Sequence, residues 1–274
     1  MIDVNRRVLP GFRLSLGYAL LYLAGLVLIP IGVGILKASS LSLAEFWAAV
    51  TTDRALAAYR LTIGTSLIAA SVNAALGLLV AWVLVRYEFP LKAVLDALVD
   101  FPFALPTAVA GLTFSSLYID HGWLGRFLVP LGIQGTYSRL GIVLVLIFVS
   151  FPFVVRTVQP VLQDLDAAME EASACLGASR WHTVTRVVLP EIRPAVIAGF
   201  ALAFARALGE YGSVVFIAGN MPFRTEIAPV LIVARLEEFA YSEATAIAMV
   251  LVAISIASLF AINLVERWSK RHHG

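Results

Sequence analysis

Long uncharged apolar runs separated by short polar segments set the rhythm of this chain. Three runs, 14–36, 61–85 and 244–265, contain no Asp, Glu, Lys or Arg. A helix needs about 20 apolar residues to cross the hydrocarbon core of a bilayer, so each predicts a transmembrane helix. The run 101–119 is also uncharged but carries Pro102 and Pro106. Each proline removes a helical hydrogen bond and clashes with the preceding turn, which predicts a kinked or locally unwound span. Two weaker spans complete the pattern. The run 140–155 reaches across if Arg156 extends its head group to the interface, and 194–219 carries Arg206 and Glu210. The expectation is an all-α integral membrane protein of six transmembrane helices.

Composition reinforces that class, with 60% hydrophobic residues, 14% charged and a mean hydropathy of +0.90, far from the balance of a soluble domain. Loop charges give the orientation, since Lys and Arg concentrate on the cytoplasmic side. With the N-terminus inside, the inner set is Arg6, Arg7, Arg13, Arg86, Lys92, Arg156, Arg180, Arg186, Arg193, Arg267, Lys270 and Arg271. The outer set is the smaller one: Lys37, Arg54, Arg60, Arg126, Arg139, Arg224 and Arg235. Both termini are therefore expected inside, and the net charge of +2 reflects topology rather than binding to nucleic acid. The first run exceeds the apolar core of a secretory signal and reads as an uncleaved anchor. One cysteine, Cys175, excludes an intrachain disulfide. The expected organisation is a cytoplasmic tail 1–13, a first helix 14–36, a transmembrane domain 61–265 holding a cytoplasmic loop 163–193, and a tail 266–274.

Several chemistries lack their motif. Lys37, Lys92 and Lys270 follow Leu36, Leu91 and Ser269, so no glycine-lysine phosphate loop is encoded. The four histidines and the lone cysteine lack zinc-ligand spacing. No catalytic residue, bound metal or bound cofactor is expected, and an enzyme reading has nothing specific to stand on.

The polar loop 163–193 predicts a compact knob. Asp164 or Asp166 can cap a short helix through Glu170, Glu171 and Ala172, with acids where the helix dipole favours them. Gly177 supplies a left-handed exit. Ser179 can cap a second helix over 180–188, which Pro190 ends. With Ala172, Ser173 and Ala178 small at the bend, the knob can enter a groove on a soluble partner, offering Glu170 and Glu171 for polar contacts and Met169, Leu176 and Trp181 as apolar anchors. The same residues also suit an amphipathic hairpin lying on the membrane.

Two membrane segments carry candidate pathway chemistry. Arg206 and Glu210 are four apart and can share a helix face. They read either as a register-fixing ion pair or as groups beside a permeation path, Arg206 attracting an anion and Glu210 balancing it. Tyr211 and Ser213 follow in the same segment. Around the Pro102–Pro106 break, Thr107, Ser115 and Ser116 are candidate pathway hydroxyls, because broken helices line substrate routes in transporters. The bend itself can equally be structural.

The spacing from Glu171-Ala172-Ser173 to Gly177-Ala178 and on to Leu189-Pro190 resembles the cytoplasmic docking loop of bacterial ABC importer permeases. Ser173 stands where that motif usually has a second alanine. The stretches Phe101-Pro102-Phe103-Ala104-Leu105-Pro106-Thr107 and Arg206-Ala207-Leu208-Gly209-Glu210-Tyr211-Gly212 resemble the molybdate/sulfate branch of type I importers. Met221-Pro222-Phe223-Arg224 and Tyr241-Ser242-Glu243-Ala244 look more like the T-type permeases of sulfate/thiosulfate importers. The resemblance spans about residues 14–268. It implies the type I permease fold, a bacterial cytoplasmic (inner) membrane location and a coupling helix. It implies that Glu170, Glu171, Ala172, Ser173, Gly177 and Ala178 dock an ATPase, and that Thr107, Ser115, Arg206, Glu210, Tyr211 and Ser213 line the pathway or gate. The implied partners are a sister W-type permease, two ATPase subunits that use ATP and magnesium, membrane lipid, and a sulfate-binding protein on the outer face delivering sulfate or thiosulfate. Molybdate or a related oxyanion, and transport of an anion without ATP, are the alternatives.

Overall fold

The computed structural model describes residues 12–271, so the expected tail 1–13 lies almost wholly outside the described residues, as do the last three residues of 266–274. Among the described residues five helices are long and apolar enough to cross a membrane: α1 (Leu14–Ala38, with a π-turn at Ala24–Leu28), α3 (Asp53–Arg86), α7 (Arg139–Gln163), α9 (Arg180–Leu208) and α12 (Tyr241–Arg271). Between α1 and α3 lies the short helix α2 (Leu43–Val50), started by a capping box in which Ser42 N–H donates to Glu45 at 2.7 Å and Glu45 N–H donates to the Ser42 hydroxyl. The remaining predicted span is present in pieces, as α4 (Lys92–Val99), α5 (Phe101–Ala104) and α6 (Thr107–Tyr118). Leu105 and Pro106 are extended between α5 and α6, the break that the two prolines predict.

The core is the packing of α3, α7 and α9. Toward one end, Leu84 and Ala81 of α3 meet Val154, Val155 and Val158 of α7 and Ile192 and Phe204 of α9. Small residues let these backbones approach: a Cβ on Gly199 would come within 3.0 Å of the Val154 Cα. Asn73 in mid-α3 donates to Ser150 Oγ at 2.9 Å and to the Ile147 carbonyl at 3.0 Å, so the donor side of this buried amide is paired across the two helices. A second cluster joins Ala69, Ile142, Val145 and Ala207 to Val214 and Ile217. A third gathers Val50, Ala55 and Tyr59 against Leu231 and Ile247 at the opposite end of α3 from the first. By contrast the apolar window of α1 buries nothing inside this chain.

Three boundaries differ from the sequence expectation, each for a local reason. The helix expected over 194–219 begins earlier, at Arg180, and ends at Leu208, where the chain turns at Gly209 and re-forms as the short helix α10 (Val214–Ile217). Pro190 does not end the knob's second helix. A π-turn at Val184–Val188 precedes it, and that wider turn shifts the bonding register so that a residue lacking N–H is accommodated within α9. Arg156 does not snorkel to the interface alone. Its guanidinium donates to Asp96 and to both oxygens of Asp100 at 2.7 Å, clamping α7 to the segment before the proline break. Beyond α10, the chain passes through Gly219 and Asn220, both with positive φ, to α11 (Ala228–Glu237) and then α12.

Candidate functional site: a polar knob and a paired membrane break

The knob is built largely from backbone hydrogen bonds and caps. Asp166 Oδ1 accepts from Ala168 N–H at 2.9 Å and starts α8 (Ala167–Cys175). At the other end Gly177 has φ +81°, Ala178 N–H donates to the Ser173 carbonyl at 3.1 Å and Gly177 N–H to the Ala174 carbonyl at 2.9 Å. This is the Schellman arrangement, in which a left-handed residue lets two amides reach back to the last turn. Ser179 caps the start of α9 through His182 N–H. The Ser173 hydroxyl lies 2.9 Å from that of Thr183 and ties the two helices together. Serine at 173, the departure from the usual motif, therefore has a bonding partner inside the knob.

Around the bend lies a cavity of about 700 Å³ lined by Met169, Ala172, Leu176, Ala178, His182 and Val187, among others. Leu176 is 88% exposed and Trp181 76% exposed, large apolar groups left uncovered, and Glu171 is exposed as well. Glu170 faces the other way. Its carboxylate pairs with Arg86 at the end of α3.

In the membrane domain the two interrupted spans meet. A Cβ on Gly111 of α6 would overlap the Ser213 carbonyl oxygen, and a Cβ on Gly212 would overlap the Thr107 hydroxyl, so both glycines are required by close approach. At the centre of this contact Glu210, buried, accepts from Ser213 N–H at 2.8 Å and from Ser213 Oγ at 2.9 Å, and pairs with Arg206 at 2.5 Å. Three donors satisfy the carboxylate that would otherwise be costly in an apolar interior. Arg206 differs, because its side chain remains 32% exposed with donors to spare. Tyr211 is half-buried beside the same cluster. The structure thus brings together Thr107, Arg206, Glu210, Tyr211 and Ser213. Ser115, half-buried, stands two turns further along α6.

Sequence reasoning missed the long-range ion pairs of three arginines. Arg54 makes a two-pronged contact with buried Glu226 at 2.8 and 2.7 Å, Arg86 meets Glu170, and Arg156 holds Asp96 and Asp100. The available signal was that each arginine stands near the end of an apolar run. Among the described residues no group of three His, Cys, Asp or Glu gathers to hold a metal ion.

Comparison with known proteins gives these features a context. Residues 73–272 match the family described as binding-protein-dependent transport system inner membrane component. The chain is 48% identical over 268 residues to the sulfate transport system permease protein CysT of Escherichia coli (strain K12), covering 97% of each. It is 51% identical over 270 residues to a probable sulfate transport system permease protein, cysT, of Nephroselmis olivacea, covering 98% of this chain and 94% of that one. Among solved structures, a bacterial ABC transporter that imports the acidic polysaccharide alginate superposes with a TM-score of 0.75 at 17% identity, covering 94% of this chain and 96% of that one. The methionine ABC transporter MetNI, in an inward-facing conformation, gives 0.60 at 17% identity over 84% of this chain and 99% of that one. At such low identity these two superpositions speak to the fold alone, the type I importer permease fold. On its family match and its full-length relatives, the chain belongs to the inner-membrane permease components of binding-protein-dependent ABC importers.

Proposed function

We propose that this chain forms one half of the translocation pathway of an importer for sulfate or thiosulfate, driven by ATP hydrolysis on a separate cytoplasmic ATPase. The observation that carries the reading is 48% identity along 97% of a sulfate permease, which includes both the docking loop and the membrane break. The other half of the pathway is a sister permease. Two ATPase subunits, which bind the ATP and magnesium, sit under the knobs, and a soluble binding protein presents the anion at the outer loops 37–60, 119–139 and 220–243. The chain itself binds no cofactor and lies in a bacterial cytoplasmic membrane with both termini inside.

On this reading the residues take the following roles. Glu171, Ala172, Ser173, Gly177 and Ala178 shape the surface that enters the ATPase, with Leu176 and Trp181 as its uncovered apolar anchors. In the membrane, Glu210 is saturated by donors while Arg206, one-third exposed, keeps N–H groups to spare. The exposed part of the Arg206 guanidinium then offers positive charge to a passing oxyanion at a site too incomplete to trap it, as a conducting path requires. Thr107 and Tyr211 flank the site and Ser115 lies along the same helix. Specificity among oxyanions resides chiefly in the binding protein.

The test is ATPase activity in proteoliposomes holding this chain with its sister permease and ATPase. Stimulation by sulfate-loaded but not empty binding protein supports the reading. Stimulation by molybdate alone would reassign the anion, and uptake that persists without the ATPase would replace the driven importer with an independent anion carrier.

A further inference from the structure

The two adjacent glutamates of the knob point to different work. No residue of α8 is buried, so this helix has no apolar anchorage in the bundle. The Ser173–Thr183 bond ties it only to the other arm of its own hairpin. The contact that reaches the membrane bundle across the sequence is Glu170 to Arg86, 84 residues away in the last turn of α3. Both side chains are about a third exposed, and the Arg86 guanidinium also lies over the Trp82 ring at 5.3 Å, which holds the arginine in place. Glu171, one position on and so about 100° around the helix, is exposed and has no ion-pair partner among the described residues.

The helix receiving this contact is unusual in having a second such fastening at its far end. At about 1.5 Å per residue, the 34 residues of α3 span about 50 Å. Its outer end is fixed by the fork of Arg54 on Glu226, in the loop that follows the membrane break, and its middle by Asn73 on α7. An element pinned this way moves as a unit.

We propose that Arg86 and Glu170 are positioning residues that fasten the docking knob to the inner end of α3, so that displacement of the knob by the ATPase is delivered to that helix. Glu170 then belongs to the transmission inside this chain, and Glu171 to the contact with the partner. The inference rests on the docking reading of the knob, and the controls below separate the two.

The measurement is sulfate-dependent ATPase stimulation and uptake by the complete complex in proteoliposomes. Glu170→Gln and Arg86→Ala are each expected to leave the complex assembled, while stimulation and uptake fall roughly fivefold or more, the lower range of ordinary site-to-site coupling. Exchange of the charges, Arg86→Glu with Glu170→Arg, is expected to recover at least half of the loss, a rescue that a generally damaged knob would not show. Reactivity of Cys175, exposed on α8, provides a readout independent of turnover: it rises when the fastening is cut and returns with the exchanged pair. Normal stimulation in Glu170→Gln overturns the proposal, and this variant removes only a charge on a helix outside the membrane, so it serves even if Arg86→Ala lowers yield. The control Gly177→Asp places a carboxylate on the docking face. If it too leaves stimulation normal, the docking reading itself fails; if it abolishes stimulation while Glu170→Gln does not, only the fastening is wrong.

Discussion

Removing Arg206 and Glu210 one at a time and then together separates two roles that their proximity leaves combined. Taking away one partner of a buried ion pair costs about 3–5 kcal/mol because the other charge is stranded, and the cost falls short of that range here because the Glu210 left behind keeps both donors from Ser213. Arg206→Ala is therefore expected to lower the thermal stability of the complex and its uptake. In the double variant Arg206→Ala/Glu210→Ala no charge is stranded, so stability should return most of the way. If Arg206 meets the anion, uptake stays low in that double variant even as stability recovers. Recovery of both together would reduce the pair to a structural fastening. Sequence alone presented this pair as one helix face, and the ion pair is present, but Glu210 sits just past the helix end. Its position depends on Ser213, whose N–H and hydroxyl reach the same carboxylate oxygen, and no periodicity announces a turn made by a side chain.

Elements were legible in proportion to how locally they are determined. The knob's caps, its left-handed glycine and the proline break are dictated by neighbours within a few residues, and they stand in the structure at Asp166, Gly177, Ser179 and Leu105–Pro106. The end of the fifth span was not legible, because the apolar residues of α10 continue the hydropathy of α9 although the chain has already turned. What sets that turn is contact with α6, and the contact makes a prediction. Gly111→Ala and Gly212→Ala each force a Cβ into an occupied position, against backbone in the first case and a threonine hydroxyl in the second. Overpacking of this kind costs about 1–3 kcal/mol. Gly209→Ala is the matched control, since it has open space and a negative φ of −92° at the same break. Melting of the purified complex should show the first two substitutions destabilising and the third close to neutral. Equal effects at all three positions would mean that glycine flexibility, rather than the close approach of α6, shapes this segment.

At the scale of the whole molecule, six passes and the family were readable from apolar length and from the knob, whereas the ion pairs that tie distant segments were not. Arg156 finds Asp96 and Asp100 some 60 residues earlier, and Arg54 finds Glu226 172 residues later. Such pairings depend on tertiary placement, which single-residue chemistry does not specify. Orientation is the global property that still rests on sequence, on the excess of Lys and Arg in one set of loops. The single cysteine makes it measurable. Cys175 is exposed on the knob, so it reports directly which side of the membrane that loop occupies. An impermeant maleimide should fail to label this chain in intact spheroplasts and should label it in inside-out vesicles stripped of the ATPase. Restoring the ATPase should then lower the labelling, because the surface around Leu176 and Gly177 becomes covered. Labelling in intact spheroplasts would invert the topology and put the knob where no ATP-hydrolysing partner can reach it. Inward orientation without protection by the ATPase would keep the topology but place the partner's contact elsewhere on the cytoplasmic face.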